Sequence, residues 1–462
     1  MELGERIRTM VDSAMARHRW ILCADVAAAF TPLVTTLSRL GAPRPLVLAG
    51  STGVGPLPDS DQAELVLLGS GGTSNLDTIR RYQAAIRDLP REVLDRIGDW
   101  DTERTARVMT PFTDTAVAVA GRLPWGGRPE AWAALEDKTA VDSLWDAVGI
   151  DRAPSVVVPA TRTDLEAASR SLDKGNGTVW AADNLEGWHG GAEYTRLVSN
   201  AVSTEAATAF MTAHARSVRV MPYLAGIPCS IHAFVFPDDA TAVFRPVEML
   251  VFRRPASDQF FYTGTATSWD PGERVRHDMR QVGRQVGEYL GRHIGFRGAL
   301  TVDGVATADG FRPTELNPRF GAGLWRIAAA ADLPLLGLSQ MLVADEVEGL
   351  TAAELEALVL SLADHNRGII AHALSARLID QPKEQRVTIR GKISVVEEGG
   401  EATLAVAPAP AGGTVRFTVD PEAVTPGPSA APLVAAAFAL ADELWGTDIA
   451  PLIPADDAIG AG

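Results

Sequence analysis

The segment that most constrains this chain runs from Phe296 to Gly323, FRGALTVDGVATADGFRPTELNPRFGAG. Its pattern predicts two strands, Ala299–Asp303 and Phe311–Leu316. They are joined at Ala308-Asp309-Gly310, where Asp tolerates a left-handed backbone and Gly adopts it freely. Side chains alternate between the faces of a strand, so Glu315 and Asn317 share a face, and Asp303 on the adjoining strand reaches the same spot. Two carboxylates and an amide oxygen form a hard, oxygen-only donor set of the kind Mg²⁺ prefers when phosphates and water complete its shell. Arg319, two residues beyond Asn317, is placed to meet those phosphates. From the residues alone, a solvated hairpin edge followed by an Asn-Pro loop starter accounts for the same pattern equally well.

The run Glu315-Leu316-Asn317-Pro318-Arg319, twelve residues after Asp303 and led in by Phe296-Arg297-Gly298-Ala299, resembles the metal-binding segment of the ATP-grasp superfamily, and its spacing is similar to the biotin carboxylase branch. In that family an acidic residue on one strand and a Glu-x-Asn-x-Arg run on the next hold the magnesium ions of MgATP. The resemblance implies Asp303, Glu315 and Asn317 as metal ligands, with ATP and two Mg²⁺ as cofactors. It further implies Arg319 as a catalytic residue, with Arg326 as a second arginine candidate.

Length and composition set the frame. A chain of 462 residues suits about three lobes, and 46% hydrophobic with 22% charged residues describes a globular protein. A net charge of −16 argues against nucleic acid or an anionic membrane as partner. Two cysteines, Cys23 and Cys229, are too few for a disulfide framework, and a reducing cytoplasm is expected. No signal-peptide h-region opens the sequence, and no uncharged apolar run reaches the ~20 residues of a membrane span. Lysine is scarce: only Lys138, Lys174, Lys383 and Lys392 occur.

Residues 1–130 predict a parallel α/β lobe, with strands at Trp20–Asp25, Pro45–Gly50, Glu64–Leu68 and Thr115–Ala120 between helices. The glycine clusters Gly50–Gly55 and Gly69–Gly72 fit neither G-x-G-x-x-G nor the P-loop pattern, and they read as tight turns. Residues 131–222 resemble the small ATP-grasp lobe. Glu136-Asp137-Lys138-Thr139 opens a predicted helix to Val148, and Lys138 takes the role of a phosphate-contacting lysine. After the strand Thr178–Ala182, the stretch Glu186-Gly187-Trp188-His189-Gly190-Gly191 resembles the loop that covers the phosphates, with Glu186, His189, Gly190 and Gly191 as nucleotide contacts. The family's second lysine is absent, because Ala181 or Ala182 stands in its place. Arg196 or His189 could substitute, or the chain could be a weak or non-catalytic nucleotide binder.

Ser217–Leu224 resembles the hinge whose backbone and apolar side chains hold adenine, with Met221, Tyr223 and Leu224 forming the pocket. Residues 223–350 follow as the large lobe. Glu248 and Arg253 are candidate substrate contacts, Thr263–Thr267 a candidate cleft loop, and His232 and Cys229 packing residues on a strand. Residues 351–462 predict a small α+β appendage that closes the cleft or mediates homodimerisation. Its helix is expected from Glu354 to Arg377 and its loop at Ala407–Gly413. The expected architecture is therefore mixed α/β and α+β, with an ATP-grasp body between an N-terminal parallel lobe and this appendage. The function implied by the resemblance is ATP-dependent joining of a small carboxylic acid to an amine, amino acids among the candidates. A small-molecule kinase or a non-catalytic nucleotide-binding protein on the same fold are the alternatives.

Overall fold

The computed structural model describes residues 2–53, 55–70, 75–110, 116–185, 192–255, 259–409 and 412–455. The N-terminal lobe is a four-stranded parallel sheet in the order β3-β2-β1-β4, formed by β1 (Trp20–Val26), β2 (Leu46–Ser51), β3 (Glu64–Leu67) and β4 (Arg107–Met109). Its central strands are apolar on both faces. Ile21, Cys23, Leu46 and Leu48 enter one core, while Trp20, Leu22, Ala24, Val47 and Ala49 enter another. That is the two-sided burial a parallel sheet requires. The fourth strand differs from expectation. Residues 116–118 have no regular structure and Val119 makes only a bridge to Arg122, whereas Arg107–Met109 pairs with β1; Thr115 lies outside the described residues.

The small lobe is an antiparallel sheet, β5 (Val156–Pro159), β6 (Thr178–Ala182), β7 (Thr195–Val198) and β8 (Ser217–Pro222), in the order β5-β8-β6-β7. Strand alternation divides its side chains. Trp180, Ala182, Val218 and Val220 pack beneath helices Arg162–Leu172 and Ala201–His214, leaving Val179, Ala181, Arg219 and Met221 on the opposite face.

The remaining strands form one eleven-stranded sheet. They are β9 (Ile227–Val235), β10 (Thr241–Val243), β11 (Val247–Arg253), β12 (Phe260–Ala266), β13 (Gly298–Thr307), β14 (Gly310–Asn317), β15 (Ile369–Ser375), β16 (Lys383–Thr388), β17 (Ser394–Val395), β18 (Ala402–Ala409) and β19 (Gly412–Val419). The order is β14-β13-β9-β11-β12-β15-β19-β18-β16-β17, with β10 on β9. Three expectations are corrected here. Thr263–Thr267 is largely strand, because β12 is held between β11 and β15. The predicted helix Glu354–Arg377 stops at Ala363, where the polar run Asp364–Arg367 leads to Gly368 and then to β15 with alternating burial. Ala407–Ala409 and Gly412–Gly413 belong to paired strands rather than to a loop.

The C-terminal segment thus continues the sheet of the large lobe instead of standing apart. Glu248 secures the junction. It is buried on β11, and its carboxylate accepts from Ser429 Oγ at 2.5 Å and Ala430 N at 2.8 Å, at the entry to helix Ala431–Trp445. This carboxylate is a helix anchor rather than a substrate contact. No single helix among the described residues is long and apolar enough to cross a membrane. Replacing Glu248 with Ala strips the acceptor from two buried donors and is expected to destabilise the fold by about 2–3 kcal/mol. Glu248→Gln, which keeps one oxygen, should cost less. Urea denaturation of both variants measures the difference.

Candidate active site

The site is built on the β13–β14 hairpin. Its register sets Asp303 directly opposite Glu315 and Thr301 opposite Asn317, so the three predicted ligands converge as expected. Both strands border a cavity of about 410 Å³ between the small and large lobes, lined by Lys138, Asp303, Glu315, Asn317, Arg319 and the turn Gly321–Gly323. Lys138 lies in the turn before helix Val141–Val148 rather than inside that helix. Its side chain is nearly buried, and Nζ donates to Glu315 Oε1 at 2.8 Å. Asp303 accepts from Ser230 Oγ at 2.5 Å and from Asn317 Nδ2 at 2.8 Å. Arg319 donates from Nη2 to Asn317 Oδ1 and from Nε to Glu136 Oε1, each at 2.9 Å.

Charge explains this arrangement. Burial and the facing Glu315 push the Asp303 carboxyl up to about 7, against the opposing pull of Ser230, Arg319 and Lys138. Glu136 behaves in the opposite way. Burial alone would raise it, but Arg319 and Arg128 together hold it below the usual carboxylate range. Glu136 is therefore an ionised anchor that orients Arg319. Nothing in the local run Glu136-Asp137-Lys138 separates that role from the lysine's, because Arg319 is 183 residues away.

The donor set fits Mg²⁺ of the nucleotide-bridging kind. No group of three or more His, Cys, Asp or Glu able to hold a metal occurs among the described residues. Two carboxylates and one amide leave coordination places for phosphate oxygens and water.

Above this group sits the start of helix Ala322–Ala331. Its N-cap, Gly321, offers no capping side chain. A Cβ at Gly321 would lie 2.4 Å from Thr301 Oγ1, and one at Gly323 2.1 Å from His232 Nε2. Only glycine permits the helix to approach β9 and β13 so closely. His232 is buried, its Nδ1 is 2.9 Å from Thr301 Oγ1, and burial lowers it to about 3, so it is a neutral packing residue in the cleft wall. Cys229 and Cys23 are fully buried, and burial raises both thiols.

Val179, Met221, Tyr223, Leu224, Phe260 and Ile453 give the cavity its apolar lining, and Val179, Met221, Tyr223 and Phe260 pack as one cluster. Met221, Tyr223 and Leu224, the residues expected to form the adenine pocket, thus line the same cavity as the carboxylates. Arg253 also lines the cavity, near the Tyr223 ring. Arg326 does not line it; it lies near Tyr262 and His372, beyond the group of predicted ligands. Glu186, His189, Gly190 and Gly191 fall outside the described residues.

Arg196 does not stand in for the absent lysine. It is opposite Trp180, on the far face of the sheet, with its guanidinium 3.8 Å above the Phe210 ring. The residue opposite Ala181 is Arg219. It is buried, grips Asp142 at 2.7 and 3.0 Å, and donates to the Thr314 carbonyl at 3.1 Å. A small residue at 181 leaves room for a large one opposite it on the same face. Arg219 is absent from the residues singled out by sequence, although an arginine at the centre of an otherwise apolar strand is a visible signal.

The Asp303 shift has a testable sign. Its folded value lies above the ordinary 3.8, so the protonated form favours folding. The contribution is complete below the unfolded pKa and is lost as pH rises through about 7. Asp303→Asn should therefore stabilise the metal-free protein above pH 7 and make little difference at pH 4. Melting temperatures of both proteins in EDTA across that range provide the check.

No protein-family model matches the chain, and no curated protein matches it by sequence. Solved structures do match. The biotin carboxylase domain of 2-oxoglutarate carboxylase from Hydrogenobacter thermophilus, in complex with MgADP, ADP and bicarbonate, is 14% identical, with a TM-score of 0.54 over 87% of this chain and 86% of that one. L-amino acid ligase from Bacillus licheniformis is 15% identical, with a TM-score of 0.52 over 92% and 97% of the two chains. Carboxyaminoimidazole ribonucleotide synthase from Aspergillus clavatus, complexed with ATP, is 11% identical, with a TM-score of 0.51 over 91% and 99%. At these identities the likeness is one of architecture, and it establishes that this chain has the ATP-grasp fold.

Proposed function

We propose that the protein is an ATP-dependent ligase that joins a small carboxylic acid to an amine, with release of ADP and phosphate. The observation that carries this reading is the Asp303–Glu315 pair, which with Lys138 and Arg319 lines a cavity that Val179, Met221, Tyr223 and Leu224 also line. The apolar lining suits a nucleobase, and the charged groups suit its phosphates. Asp303, Glu315 and Asn317 would hold Mg²⁺, which supplies charge neutralisation for the transferring phosphoryl group.

The remaining roles follow from this chain's own side chains. Lys138, once a cation takes its place at Glu315, is free to donate to a phosphate oxygen. Arg319, oriented by Glu136, would stabilise the charge that develops on the transferring phosphoryl group and the acyl oxygens. The substrate carboxylate oxygen attacks the γ-phosphorus and ADP departs. The amine nitrogen then attacks the acyl carbon, the amide bond forms, and phosphate leaves with the former carboxylate oxygen. Because phosphate is the leaving group that the amine displaces, this scheme needs no nucleophile from the protein. L-amino acid ligase among the matching structures supports amino acids as the first substrates to try.

The test is a screen of purified protein with MgATP and pairs of amino acids, reading ADP and phosphate separately and identifying product by mass spectrometry. The expected result is ADP and phosphate in equal amounts, dependent on both acid and amine. ADP without phosphate would point to a kinase, and no ADP across the panel to a nucleotide binder. In the active protein, Glu315→Ala should lower turnover at least ~100-fold, as loss of a metal ligand at the transferring phosphoryl group predicts, with Mg²⁺-dependent nucleotide binding weakened. Unchanged turnover would overturn the site assignment.

A further inference from the structure

A second concentration of charge lies outside the cleft, where three elements meet. The register that sets Glu248 opposite Ala266 brings Arg245, just before β11, alongside Ser268–Asp270, just after β12. Helix Gly272–Ile294 contributes Arg276, and the end of helix Ala352–Ala363 contributes Asp364 and Arg367. Asp270 Oδ2 lies 3.5 Å from Arg276 Nη1 and 3.6 Å from Arg367 Nη1. Asp364 is 3.6 Å from Arg367 Nη2 and pairs with Arg245. Further along the long helix, Arg280 and Arg284 are already paired with Glu356 of helix Ala352–Ala363.

These contacts leave the cluster short of negative charge. Three arginines share two aspartates, and Asp270 also accepts from Gly272 N. In a chain of net charge −16, this is a local excess of the opposite sign. The donors are also unmet. Arg245 and Ser268 are 3% and 1% exposed, and among the described residues Arg245 Nε, Arg367 Nε and Ser268 Oγ have no hydrogen-bond partner. Burial and the neighbouring Arg367 and Arg276, against the pull of Asp270, bring Arg245 down to about 10. Buried guanidinium N–H groups without acceptors are costly, and a bound anion would satisfy them. None of these residues lines the cleft.

We propose that Arg245, Arg276, Arg367 and Ser268 form a binding site for a small oxyanion of the phosphate type, separate from the catalytic cleft. Guanidinium forks match phosphate oxygens two at a time, and a serine hydroxyl supplies a further donor. The anion is either free phosphate or the phosphate group of a small ester. The site does not rest on the ligase reading, since its residues take no part in the cleft.

The experiment is equilibrium dialysis of the full chain with radiolabelled inorganic phosphate, repeated with glycerol phosphate as competitor. One equivalent should bind. Arg367→Gln should weaken it at least ~10-fold and Ser268→Ala several-fold, while Arg319→Gln in the cleft leaves it unchanged. Circular dichroism verifies that each variant is folded, and Ser268→Ala, which removes only a hydroxyl, keeps the test decisive if the arginine variant is not. Competition by glycerol phosphate at lower concentration than phosphate itself identifies an ester as the better ligand. Absence of binding, or binding lost in Arg319→Gln and kept in Arg367→Gln and Ser268→Ala, overturns the proposal.

Discussion

Two carboxylates face each other across an antiparallel pair, and much of the cleft answers to that fact. Directly opposite strand residues stand roughly 5 Å apart, where like charges repel by about 3 kcal/mol at an effective dielectric of ~20. Asp303 and Glu315 are held in this register by six other pairings of β13 with β14, and β13 is itself fixed by its pairing with β9. Neither strand can slip to separate them, because a one-residue slip would exchange core and cleft faces along the whole hairpin. The surrounding groups distribute the cost. Lys138 takes Glu315, Ser230 and the Asn317 amide take Asp303, and Arg319 takes the other side of the amide while resting on Glu136. Each of these contacts uses a group that could equally serve a nucleotide phosphate or its cation. The cleft is therefore poised for exchange of partners rather than sealed by them.

What is legible of this arrangement in the sequence is local. The hairpin, its turn and the shared face of Glu315 and Asn317 follow from period-two alternation and one Asp-Gly turn, so a short window is enough to read them. Lys138 stands out because lysine is rare in this chain. Arg219 and Glu248 are opaque, because their partners are far away in sequence. Asp142 lies 77 residues from Arg219, and Ala430 lies 182 from Glu248. A charged residue in an apolar strand announces a buried pair, yet its identity as anchor or substrate contact is fixed only by what the fold brings to it. The same limit explains β12 and β15. Thr263 and Thr265 favour a strand by their β-branching, but Gly264 between them weakens that signal, and the segment is settled as strand by a neighbour on each side that supplies backbone partners. Glu354–Arg377 misleads for a related reason: the apolar alternation of Ile369–Ser375 is too short to be told from a helix by period alone.

The small side chain of Ala181 and the large one of Arg219 opposite it belong together sterically. Ala181 is short, and the guanidinium of Arg219 fills the face it vacates. The positive charge at this point of the small lobe is firmly fixed. A lysine ammonium on a flexible stem can follow a phosphate, whereas this guanidinium is committed in a fork to Asp142 and to the carbonyl of Thr314. Thr314 precedes Glu315, so Arg219 ties the small lobe to the strand that carries the carboxylate. Its effect on chemistry would then be exerted through the position of Glu315 rather than by contact with nucleotide.

The glycines after Arg319 complete the electrostatic logic of the cleft. Gly321 and Gly323 let the first turn of helix Ala322–Ala331 rest against Thr301 and His232, at distances no side chain would permit. The helix begins without a capping side chain, so its first N–H groups and the positive end of its dipole are presented at the cavity. Asp303 and Glu315 would hold a cation, and Arg319 and this helix start would add positive charge to the same cavity. A neutral His232 beneath the turn suits that geometry, since an imidazolium there would add a third, unpartnered charge to a wall already rich in donors. The glycine spacing and the buried neutral imidazole are thus two parts of one device, which lets a helix terminus act where a longer side chain would have blocked it.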